Sequence, residues 1–142
     1  MKNILILVLG LMALTMTSCY EESDWISENS ITEGKHYAQI QGVSIMDGAT
    51  YTPGSTITVL VDYWSIDDVA KLDLKQDILG AESDVSSTPY ADHFDKDKNV
   101  QVMPIPYTIP SDVEAGTDIT LTVDVVTTTG LVTSKSKTIT VE

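Results

Sequence analysis

The segment TDITLTVDVVTTT, residues 117–129, alternates apolar and polar residues with a period of two. On an extended chain Ile119, Leu121, Val123 and Val125 fall on one side, and Thr120, Thr122 and Asp124 on the other. A helix would scatter the same apolar positions around its circumference. β-Branched residues fill the run and suit a pleated, half-buried surface. The spacing predicts a strand with one face in a core.

The pattern recurs. In TITVLVDY, residues 56–63, Ile57, Val59, Val61 and Tyr63 oppose Thr58, Leu60 and Asp62. In VAKLDLKQDIL, residues 69–79, Val69, Lys71, Asp73 and Lys75 oppose Ala70, Leu72 and Leu74. Turn signals separate the runs: TPGS at 52–55, with Pro53 and Gly54 in turn-forming order, PSDVEAG at 110–116, and TTG at 128–130. Candidate strands lie at 42–46, 56–64, 69–78, a short one near 82–87, and then 100–108, 117–127 and 131–141. About seven strands with frequent turns predict an all-β fold, an antiparallel β-sandwich rather than an α/β fold. Residues 79–99 read as a long connection, and such loops are often functional or flexible.

Two stretches, YTPGSTITVLVDYWSIDDVAKLDL and YTIPSDVEAGTDITLTVDVVTTTGLVTSKSKTITV, resemble the bacterial Ig-like domains, the broad group that includes fibronectin-III-like modules. The resemblance covers most of residues 40–142 and implies an Ig-like sandwich. The inter-sheet Cys pair of antibody domains is absent, so the likeness is to the cysteine-free branch. Domains of this kind serve as spacers, adhesive modules or accessory parts of surface glycan-capture systems. Fold alone does not choose among these.

The first 19 residues, MKNILILVLGLMALTMTSC, have a different character. Lys2 is followed by an apolar run over 4–14 and then by the small and hydroxyl residues Thr15, Thr17 and Ser18, the layout of a secretory signal peptide. The run of 11 residues is shorter than the ~20 that a spanning helix needs. Thr17-Ser18-Cys19 resembles a bacterial lipobox, with Met16 where Leu is commoner. The resemblance implies removal of residues 1–18 and lipidation of Cys19, the only cysteine of the chain. Two or three acyl chains anchor stably, since each buried methylene contributes ~0.8 kcal/mol. Glu21, Glu22 and Asp24 read as the start of a solvated, disordered tether over 19–35. They also resemble the acidic surface-export signals of some Gram-negative lipoproteins. The expected location is the outer membrane, either surface-exposed or periplasm-facing, with the folded domain over 36–142.

Charge removes several partners. The chain has 21 acidic residues against eight lysines and no arginine, and loss of Lys2 would leave a net charge of −14. Nucleic acid is excluded by this balance, and anionic lipid head groups are disfavoured. Membrane contact is expected through the N-terminal lipid alone. A lone Cys and two histidines cannot build a zinc or iron–sulfur site, and no cofactor is expected.

Three groups remain as candidate sites. Tyr51, Trp64 and Tyr90 are candidate ligand contacts, because aromatic rings exposed at a loop end suit sugar stacking or a protein contact. Alternatively Tyr63 belongs to the core and Trp64 plugs the end of the sandwich. Exposed together beside Asp67 and Asp68, Trp64 and Tyr90 would form a ligand surface. Asp95, Asp97 and Asn99 alternate as at the start of a Ca²⁺ loop, but Val100 and Pro106 replace the expected Gly and Glu, so a solvated loop is the competing reading. Asp92 and His93 could orient a general base, yet no nucleophile, phosphate loop or second acid accompanies them. The expectation is a non-catalytic envelope module for protein contact, adhesion or display; the alternative is an accessory glycan-binding lipoprotein.

Overall fold

The computed structural model describes residues 34–142. Cys19, the leader and the acidic segment after it lie outside the described residues. The described strands are β1 (Gln39–Ile45), β2 (Thr56–Trp64), β3 (Val69–Ile78), β4 (Ala81–Pro89), β5 (Phe94–Asp95), β6 (Val100–Thr108), β7 (Asp118–Thr127) and β8 (Val132–Thr140). They form two antiparallel four-stranded sheets, ordered β1-β2-β6-β5 and β4-β3-β7-β8. The chain changes sheet at β2–β3, β4–β5 and β6–β7, and the two sheets face each other as a β-sandwich.

Period-two alternation builds the core. Ile57, Val59, Val61 and Tyr63 of β2 and Met103, Ile105 and Tyr107 of β6 face Leu72 and Leu74 of β3 and Ile119, Leu121, Val123 and Val125 of β7, all buried. Each such aliphatic side chain contributes ~1.5–3 kcal/mol by leaving water, against the entropy of ordering the chain. The TPGS turn closes with a hydrogen bond from Ser55 N–H to Thr52 C=O at 3.0 Å, and Gly54 at φ 79 supplies the left-handed position that Pro-Gly turns need.

Two expectations are corrected. First, Val69 is buried and Ala70 exposed, the reverse of simple alternation from Leu72. A β-bulge between Val69 and Lys71 resets the pairing with β7 and turns Val69 inward. Second, residues 79–99 are not a long loop. β4 occupies nine of them and β5 two more. β4 extends beyond the short strand expected near 82–87; its side chains are mostly exposed on both faces, so no apolar alternation marks its full length.

Two of the sheet edges are blunted. Thr133 Oγ1 donates to Ala38 C=O at 2.8 Å and Lys135 Nζ to Gln41 C=O at 2.7 Å, tying β8 to β1 along one side. On the other side β5 covers only the first residues of β6. The ladder from β6 to β2 runs unbroken through Pro104 and Pro106, which places their missing N–H groups on the uncovered edge. An incoming strand finds no donor at these two positions.

Candidate functional site

β2 ends, β3 begins and β6 starts at the same end of the sandwich, and Tyr90 follows β4 there. These elements enclose a cavity of about 360 Å³ lined by Tyr63, Ser65, Ile66, Asp68, Tyr90 and Gln101, with Asp67 and Val69 beside them. Tyr63 belongs to the inner face of β2 and is 1% exposed. Its hydroxyl has no hydrogen-bond partner, and neither has the buried Ser65 Oγ. Burial, then the neighbouring Tyr90 and Asp92, push the Tyr63 phenol up to about 12. It stays neutral and can both donate and accept.

The walls are held by two long-range clasps. Gln101 Nε2 donates to Asp92 Oδ1 at 2.9 Å while its Oε1 accepts from His93 N–H at 2.8 Å, so one carboxamide straps the β4–β5 connection to β6. The same Nε2 lies 3.4 Å from the Tyr90 hydroxyl. Asp67 accepts from His36 N–H at 2.7 Å and from Thr129 Oγ1 at 3.2 Å, and pairs with His36 Nδ1 at 3.1 Å. The His36 backbone bond, followed by the His36 ring, holds the Asp67 carboxyl below its ordinary value. The chain therefore enters the sandwich at the end that carries the cavity.

The aromatic candidates do not share one surface. Tyr90 lines the cavity beside Asp67 and Asp68. Trp64, 43% exposed, alternates with Tyr63 onto the outer face of β2, so it does not plug the sandwich end. Tyr51 precedes the opposite end of β2, about 25 Å away along the strand, and packs partly against the core.

The calcium-loop reading gives way to a hairpin turn. Phe94 and Asp95 pair with Gln101 and Val100, and Asp95 Oδ1 accepts from the N–H groups of Asp97 (2.9 Å) and Lys98 (3.1 Å). Asn99 takes the left-handed position at φ 57, a conformation Asn tolerates well. Lys98 Nζ reaches Asp62 Oδ2 at 2.8 Å. Among the described residues no group of three or more His, Cys, Asp and Glu side chains is placed to hold a metal.

The far end of the sandwich carries a feature that sequence reasoning missed. Leu79 and Gly80 form the two-residue β3–β4 turn with φ 55 and φ 84. Both central residues left-handed is the type I′ pattern, which favours Asn or Gly at its first position. Leu79 sits there 88% exposed. Two shallow grooves flank it, one with Asp112 and Glu114, the other with Asp77 and Asp118. The signal available in the sequence was a Leu-Gly pair between two strands, which lacks the usual Asn.

No protein-family model matches the chain, and no curated protein matches it. Among solved structures it is similar to Spo0M, a sporulation control protein from Bacillus subtilis, with a TM-score of 0.49 and 15% sequence identity, the match covering 75% of this chain and 50% of that one. It is also similar to wild-type OgpA from Akkermansia muciniphila, with a TM-score of 0.49 and 18% identity, covering 76% of this chain and 28% of that one. The chain spans half or less of the length of these two proteins.

Proposed function

We propose that this protein is a non-catalytic contact module, anchored to the outer membrane of a Gram-negative cell by lipid on Cys19, that presents the Leu79 turn to a protein partner. The observation that carries the reading is the conformation of Leu79. A bulky, 88% exposed residue in a left-handed turn position is stabilised neither by burial nor by backbone preference. Strain of that kind persists where function demands it. An apolar knob flanked by Asp77, Asp112, Glu114 and Asp118 suits a basic surface with an apolar recess. The turn lies at the opposite end of β3 from the His36–Asp67 clasp.

Two measurements test this. Replacing Cys19 with Ala should abolish palmitate incorporation and release the protein from the membrane fraction. A photo-crosslinking residue at position 79 should capture a defined envelope protein, and the same residue at Lys96 should not. Capture of the same species from both positions, or membrane retention of the Cys19→Ala variant with palmitate still incorporated, would refute the reading.

A further inference from the structure

The cavity at the entry end concerns a different face and a different class of ligand from the Leu79 contact. Two of its lining residues, Tyr63 and Ser65, carry hydroxyls that are buried behind the wall with no protein partner. Asp62 Oδ1 and Ser86 Oγ are also buried without a partner, but neither residue lines this cavity, where two such groups come together. The other buried tyrosine of the core, Tyr107, donates to Gln76 Oε1 across the sandwich at 2.7 Å. A buried polar group left unpaired is destabilising, so two in one cavity call for a guest that pairs with them.

We infer that this cavity binds a neutral, hydroxyl-rich ligand, a single sugar ring, with Tyr63 and Ser65 as its deep hydrogen-bonding groups and Tyr90 as its stacking wall. The size, about 360 Å³, lies within the ~300–1,000 Å³ of small-ligand sites. Chemistry narrows the class. No Lys lines the cavity, and Asp67 and Asp68 do, so anions are repelled. Asp67 already accepts from His36 and Thr129, and Asp92 from Gln101, which leaves Asp68 as the free carboxylate at the rim and too few open oxygens to cage a metal ion. A wholly apolar guest would leave both hydroxyls unpaired. A sugar ring meets every requirement. Its hydroxyls can donate to Asp68 and exchange hydrogen bonds with Tyr63 and Ser65, and its C–H face can lie on Tyr90 beside Ile66.

Access is through the mouth. Neither deep hydroxyl touches solvent in this conformation. Tyr90 is 43% exposed, and its hydroxyl has only the 3.4 Å contact with Gln101, so its ring is the wall freest to swing aside.

The test uses the full chain and four neutral probes: D-glucose, D-galactose, D-mannose and N-acetyl-D-glucosamine. D-glucuronate and tetramethylammonium serve as anionic and cationic comparators. Ligand-observed NMR titration should give saturable, millimolar-range binding of at least one neutral sugar and none of the comparators. Ser65→Ala and Tyr63→Phe should each weaken it by about three- to tenfold, the loss of one hydrogen bond, and Tyr90→Ala should abolish it. Without sugar, Tyr63→Phe should melt at or above the temperature of the parent, because it deletes an unpaired hydroxyl. Absence of saturable binding by all four sugars overturns the inference, and so does binding that the three substitutions leave unchanged. A Tyr63→Phe variant that melts well below the parent would also overturn it, since the hydroxyl would then be structurally paired. None of these results bears on the Leu79 contact, whose variants lie at the other end of the sandwich.

Discussion

Tyr107 on β6 donates its hydroxyl to Gln76 Oε1 on β3, bridging the two sheets through the core at 2.7 Å. Tyr107 is 1% exposed, so this bond is the means by which a phenol is accommodated among aliphatic side chains. Gln76→Leu should cost about 1–3 kcal/mol, because it strands the hydroxyl. Adding Tyr107→Phe should restore most of that loss. Urea denaturation of the two single variants and the double variant measures the coupling; purely additive costs would show that the bond does not bridge the sheets.

Acid should loosen the entry end. The Asp67 carboxyl is held below its ordinary value by His36, so the folded state favours its charged form. The stabilisation is present above the unfolded carboxyl value of 3.8 and is lost as pH falls through the lower folded value. The parent and Asp67→Asn should therefore differ most in melting temperature near neutral pH and converge in strong acid. A difference that stays constant down to the acid limit would contradict the clasp.

Alkali should act through Tyr63. Its folded value of about 12 exceeds the ordinary 10.0, so the neutral phenol is favoured by folding. That contribution is complete below pH 10.0 and is lost as pH rises from there through about 12. Tyr63→Phe should flatten the decline in stability over that window, followed by circular dichroism beside phenolate absorbance. An unchanged alkaline decline would assign it to other groups.

Leu79→Asn should stabilise the fold by about 1 kcal/mol, since Asn adopts the left-handed turn position more readily and an 88% exposed Leu contributes little packing. Thermal melting measures the gain. The same variant should lose the partner captured at position 79, so stability and contact would move in opposite directions.

The sequence alone determined whatever depends on neighbours a few residues away. Alternation in β7 put Ile119, Leu121, Val123 and Val125 on the core face, and all four are fully buried. TPGS formed the expected turn, and the sandwich with its four main core strands was legible. β4 was legible only as a short strand within a longer connection, because a strand exposed on both faces carries no apolar contrast. The Val69–Lys71 bulge was hidden as well, since register belongs to the pair of strands. Of the entry-end cavity, Tyr63, Tyr90, Asp67 and Asp68 stood out by residue type. Their company did not: His36 clasps Asp67 across 31 residues, and Gln101 holds Asp92 across nine. Such contacts are set by which strand ends the fold brings together. Periodicity reports which side of a strand faces the core, and only the stacking of two sheets decides which buried hydroxyl finds a partner, as Tyr107 does, and which is left without one, as Tyr63 is.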